Sequence, residues 1–135
     1  MAEVRDVKTG AHYQVGQAGA LEALEGKLFI GATMGFTGME VSLNRVPRDQ
    51  ASPFMHAHRR HEELYLFLHG RGEFQVDQDV FPVEPGTMVR VAPDGHRAWR
   101  NTGDGELVFV VVQANVDSLT PQDGIRFDEA PAWKS

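Results

Sequence analysis

From Lys27 onward the chain alternates between short apolar runs and turn-forming residues. The runs "KLFIG", "MEVSLNRV", "PFMHAH", "ELYLFLHG", "GEFQVD", "DVFPV", "TMVRVA" and "ELVFVVVQA" are rich in Val, Phe, Leu and Tyr, and most end at Gly, Pro, Asp or Asn. Branched and aromatic side chains fit a pleated, half-buried surface, so each run reads as a strand. Period-two alternation puts Glu63, Tyr65 and Phe67 on one face of the fourth run and Leu64, Leu66 and Leu68 on the other. "HGRGE", "VDQDV" and "VEPGT" between runs carry the glycine, proline and aspartate of tight turns. Many short strands so punctuated predict an all-β sandwich or barrel.

The flanks differ. Residues 1–26 form a polar N-terminal arm with little periodicity, and "ALEALEG" within it predicts one short helical turn stopped at Gly26. Residues 27–115 make the barrel. Residues 116–135, with Pro121, Gly124 and Pro131, predict an irregular C-terminal tail packed on the barrel surface. No internal repeat or low-complexity linker interrupts the chain.

Composition narrows the function classes. A length of 135 residues suits one domain, and a formal net charge of -6 argues against nucleic acid or anionic membrane as partner, since both demand a basic face. The absence of cysteine excludes disulfides and thiolate metal sites. The opening "MAEVRDVKTG" has no apolar leader core, and "LVFVVV" is too short to span a bilayer, so a cytoplasmic location is expected.

Chemistry concentrates in "HAHRRHEELYLFLHG", which holds four of the six histidines. On a strand, His56 and His58 share a face with their α-carbons about 6.6 Å apart, close enough for both imidazoles to reach one ion. Glu63 on the next strand would add a carboxylate if it shares the interior. Two imidazoles and a carboxylate are the donor set of non-haem iron(II) sites with open positions, and manganese, nickel or zinc also suits it. No phosphate-cradling loop, nucleophile elbow or Ser-His-Asp arrangement stands out.

These residues resemble the cupin family. His56-Ala57-His58, then four residues, Glu63, six residues and Gly70 follow its first motif, although that motif's leading glycine has no clear counterpart. Gly86, Pro93, Gly95 and Asn101 follow the second, and the likeness runs from about Met39 to Gln113. The resemblance implies a double-stranded β-helix (a jelly-roll barrel) and a homodimer. It also marks a departure: the fourth ligand position falls on Arg97, with His96 one residue early. A one-residue shift turns a side chain to the opposite face unless a bulge intervenes. Three arrangements therefore stand open. His96 completes a four-ligand site; or Arg97 faces inward to bind an anion beside a three-ligand metal; or Arg97 pairs with Glu63 and no metal binds.

Further substrate contacts are expected from Tyr65, Gln75, Trp99 and Gln113, polar or amphipathic residues on apolar strands, together with Arg97. His61 and His69 fall in turns at the rim. Two functions follow from these residues. One is a metal-dependent enzyme of isomerase or oxygenase type acting on a small anionic or sugar-derived molecule, with no single catalytic residue assignable. The other is a metal-free module that captures a small ligand.

Overall fold

The computed structural model describes residues 2–133. Ten strands follow one another: β1 (Arg5–Thr9), β2 (Gln14–Gln17), β3 (Lys27–Phe29), β4 (Glu40–Val46), β5 (His61–His69), β6 (Gly72–Val76), β7 (Asp79–Val83), β8 (Met88–Val91), β9 (Arg97–Asn101) and β10 (Leu107–Asn115). One 3-10 turn at Leu21–Ala23 and one helical turn, α1 (Gly31–Met34), interrupt them. The expected turn in "ALEALEG" is thus present, whereas the hairpin β1–β2 and α1 were not expected. One expectation is corrected. "PFMHAH" forms no strand; within it only His56 makes a β-bridge, to Arg97, with a second bridge from Ala51 to Arg100 just before it.

All pairings are antiparallel. A five-stranded sheet in the order β3-β4-β10-β5-β8 faces a three-stranded sheet in the order β7-β6-β9. This is the double-stranded β-helix. Tyr65, Phe67, Phe74, Val83, Val89, Val91, Leu107, Phe109 and Val111 fill the space between the sheets. Each such side chain contributes roughly 1.5–3 kcal/mol of burial relative to an exposed position. Phe67, Phe74 and Phe109 are fully buried and meet as a ring cluster, with Phe67 5.0 Å from Phe109 between centroids. The chain leaves β5 at Gly70, whose φ of 85° is open to glycine and strained for other residues.

Register also defines the outside of the larger sheet. Leu43, Val110, Leu66 and Met88 align as one cross-strand row, and Val41, Val112 and Leu64 as a second. These residues alternate with the inward Glu63, Tyr65 and Phe67, so the rows lie on the outer face, where Leu64 and Met88 are exposed.

The tail departs from expectation. It is irregular, but it does not pack on its own barrel: every residue from Asp117 to Trp133 is exposed, Leu119, Ile125, Phe127 and Trp133 included. Its polar, turn-rich sequence gives no amphipathic period by which to seat it. No helix among the described residues is long and apolar enough to cross a membrane.

Candidate metal centre

The segment carrying His56 and His58 is pinned by backbone bonds to β9 and the loop before it. His56 and Arg97 exchange amide and carbonyl bonds at 3.1 and 2.9 Å, and the Asp94 amide donates to the His58 carbonyl at 2.8 Å. β5 brings Glu63 beneath the two rings from the opposite sheet. The result is one cluster, His56, His58 and Glu63, whose donor atoms all lie within 4.8 Å of one another. His58 Nε2 is 3.4 Å from Glu63 Oε2, and the His56 and His58 rings meet edge to face at 5.4 Å.

Arg97 decides how that carboxylate is used. Its side chain is fully buried, and its guanidinium donates to Glu63 Oε1 through Nη2 at 2.6 Å and Nε at 3.2 Å. Nη1 donates to the Gly95 carbonyl at 2.6 Å. The Tyr65 hydroxyl adds a third donor to the same oxygen, at 2.8 Å. Three donors therefore converge on Oε1, while Oε2 points toward the imidazoles. One oxygen is structural and the other is available.

Burial shapes the titrations. Removal from water holds the His56 imidazole below its ordinary value, with Arg97 acting in the same sense and Glu63 opposing. His58 is likewise lowered, chiefly by burial. Both rings are thereby biased to the neutral form that offers a lone pair to a metal. Burial and the Glu63 charge push the Tyr65 phenol well up, so its hydroxyl stays protonated and donates.

The donors suit a divalent transition metal. Bonds of about 2.1 Å around one ion set neighbouring ligand atoms roughly 3–3.5 Å apart. The observed donor spacings, within 4.8 Å of one another, are of the same order, and Oε2 has only His58 Nε2 beside it, at 3.4 Å. His56, His58 and Glu63 could thus hold such an ion, with positions left open.

The fourth ligand expected from His96 is corrected. β9 pairs with β6 in unbroken register from Val76–Arg97 to Gly72–Asn101, so no bulge turns His96 inward. His96 is exposed, its amide bonded to Asp77. Gln75 is also misplaced by the sequence reading. It alternates with the buried Phe74, bonds the Asp77 carbonyl, and lines a separate surface cavity. Gln113, Tyr65 and Trp99 do line the small cavity of about 150 Å³ above the cluster. His61 opens β5 beyond the turn where it was expected, with Nδ1 2.8 Å from Gln113 Oε1.

Lys27 was missed. It lines the same cavity, 5.3 Å from the Phe29 ring centroid and 5.7 Å from that of Trp99. Burial lowers its pKa, against the pull of Glu63. A lysine opening a short strand carries no signal in sequence; only the sheet order places it over the site.

Comparison with known proteins supplies the family. Residues 43–113 match the family model for the cupin domain. The chain belongs to the cupin family. A cupin protein of Bacteroides fragilis shares 30% identity with this cupin at a TM-score of 0.77, covering 87% of this chain and 99% of that one. Over 118 residues this cupin is 29% identical to the polyketide synthase CurC of Streptomyces cyaneus, spanning 86% of this chain and 71% of that protein. A proposed sugar phosphate isomerase of Acidithiobacillus ferrooxidans is 25% identical, with a TM-score of 0.61 over 71% of this cupin and 62% of its own length.

Proposed function

We propose that this cupin is a metal-dependent enzyme in which His56, His58 and Glu63 hold one divalent transition metal (iron, manganese, nickel or zinc) and the cavity above takes a small anionic molecule. The observation that carries the reading is the division of Glu63: Oε1 is saturated by Arg97 and Tyr65, and Oε2 faces His58 Nε2, with His56 in the same donor cluster. A bound metal would supply Lewis-acid polarisation of a substrate oxygen or a platform for dioxygen.

The chain's own groups favour an anion. Arg97 cancels the Glu63 charge, and both imidazoles are biased to neutrality, so the charge of a divalent ion would be left uncompensated by protein. Lys27 adds a cation above it. Tyr65 fixes the Glu63 carboxylate, and its proton is engaged there, so it orients the site without moving protons. Isomerase and oxygenase chemistry both fit open metal positions. The isomerase version gains support from the sugar phosphate isomerase relative.

A second reading rests on one specific feature. The buried Arg97–Glu63 pair satisfies the carboxylate without any ion, so a metal-free binding module also fits the geometry. Elemental analysis of purified protein separates the two. The metalloenzyme reading expects a stoichiometric transition metal that is lost in both His56→Ala and His58→Ala. Protein that stays metal-free after incubation with iron, manganese, nickel and zinc salts leaves only the binding module.

For its assembly we propose a cytoplasmic homodimer. The outward apolar rows of the larger sheet, Leu43–Val110–Leu66–Met88 above all, support a second copy as the partner.

A further inference from the structure

The cavity over the metal cluster, about 150 Å³, falls below the usual range of roughly 300–1,000 Å³ for drug-sized ligands. A drug-sized ligand would extend beyond it, and a second cavity of about 680 Å³ begins at the same wall. Lys27, His56 and Trp99 line both. That second volume falls inside the usual range of roughly 300–1,000 Å³ for drug-sized ligands.

Its walls are mostly apolar and aromatic. Val46, Pro47, Pro53, Phe54 and Trp99 make up its apolar part, with Asn44, Arg45, Gln50 and Ser52 beside them, and Phe54 is 62% exposed although it is a large ring near the mouth of the site. The wall is preformed. The Ser52 amide donates to the Trp99 carbonyl at 2.9 Å, the Trp99 amide to Ser52 Oγ at 3.0 Å, and the Asn101 amide to the Gln50 carbonyl at 2.9 Å. At the doorway stands Lys27. Among the described residues its ammonium meets two ring faces and no carboxylate within ion-pair distance. Lys27 is exposed there, and its ammonium has donors that ring faces do not use, open to an acidic ligand in place of water.

We propose that the larger cavity seats the ring body of a planar aromatic acid, packed against Trp99 and Phe54, with Lys27 pairing to its acidic oxygen at the entrance to the metal cluster. This names the ligand class for the site proposed above and rests on that reading only for the metal's part in the chemistry. The pocket itself needs no ion.

Calorimetric titration with two probes tests it: 2-naphthoate and its neutral counterpart 2-naphthalenemethanol, added to the metal-stripped full chain. The carboxylate is expected to bind about tenfold more tightly than the alcohol, the increment of one charge-assisted hydrogen bond. Lys27→Met should abolish that preference and leave the alcohol's affinity unchanged. Phe54→Ala, a change at an exposed position, should weaken both probes together. The preference is read on metal-free protein, so a failed metal reading would not remove it. Absence of binding by either probe, or a carboxylate preference that persists in Lys27→Met, would overturn the proposal even where metal analysis succeeds.

Discussion

Replacing Arg97 with methionine removes a guanidinium that makes four hydrogen bonds inside the barrel, two to Glu63 Oε1, one to Tyr65 and one to the Gly95 carbonyl. Methionine fills much of the space but donates nothing. Glu63, 3% exposed, then keeps only the Tyr65 hydroxyl on Oε1 and His58 near Oε2. Breaking a buried ion pair on one side costs about 3–5 kcal/mol, because a charge is left without compensation. For a domain of this size that corresponds to a fall in Tm of roughly 10–20 °C. The assay is urea denaturation of metal-free protein, followed by circular dichroism, on Arg97→Met, Glu63→Leu and the double variant. The double variant should recover to within about 1–2 kcal/mol of the parent, since replacing both charges removes the orphan. A single Arg97→Met cost below about 1 kcal/mol with an unchanged denaturant slope would mean that water already solvates the pair. The division of labour between the two Glu63 oxygens would then be wrong.

The remaining expectations are simpler. His56 and His58 are held below the ordinary histidine value of 6.5, so below that value the unfolded chain binds more protons than the folded one. Stability of the metal-free protein from these rings is therefore full above pH 6.5 and declines as pH falls through it. Denaturation curves between pH 5 and 8 should show this decline, and His56→Gln/His58→Gln should flatten it; identical slopes for parent and variant would refute the assignment. If the apolar rows of the larger sheet meet a second copy, Leu64→Asp and Met88→Asp, both at exposed positions, should convert a dimer to a folded monomer in sedimentation equilibrium. A parent that sediments as a monomer removes that assembly.

Much of the barrel was legible because each strand announced itself twice, by alternation and by its turns. β7 runs from Asp79 to Val83, the span of "DVFPV", and β5 faces Glu63, Tyr65 and Phe67 inward as its period requires. β1 and β2 were invisible for the opposite reason. Nearly every residue in them is exposed, so no alternation records a buried face. "PFMHAH" misled because a histidine pair spaced by one residue looks like a strand whether or not a ladder forms. Here a single bridge, His56 to Arg97, ties it to β9 instead. Among site residues, counting from Asn101 put Arg97 at the fourth ligand position but left open whether it or His96 faces inward; the unbroken β9 register decides that, and which Glu63 oxygen is used depended on the crossing of two sheets. Lys27 lies 36 positions before Glu63 in the chain and was beyond any local pattern.

The Arg97–Glu63 bond also constrains how this barrel can change over generations. A lineage drifting toward histidine at position 97 would strand the glutamate; one losing the glutamate first would strand the arginine. Either intermediate passes through a less stable protein, so the path to a three-histidine-and-carboxylate ligand sphere runs uphill before it descends. The guanidinium acts as a ratchet, tying any change in the donor set of this barrel to a cost in stability.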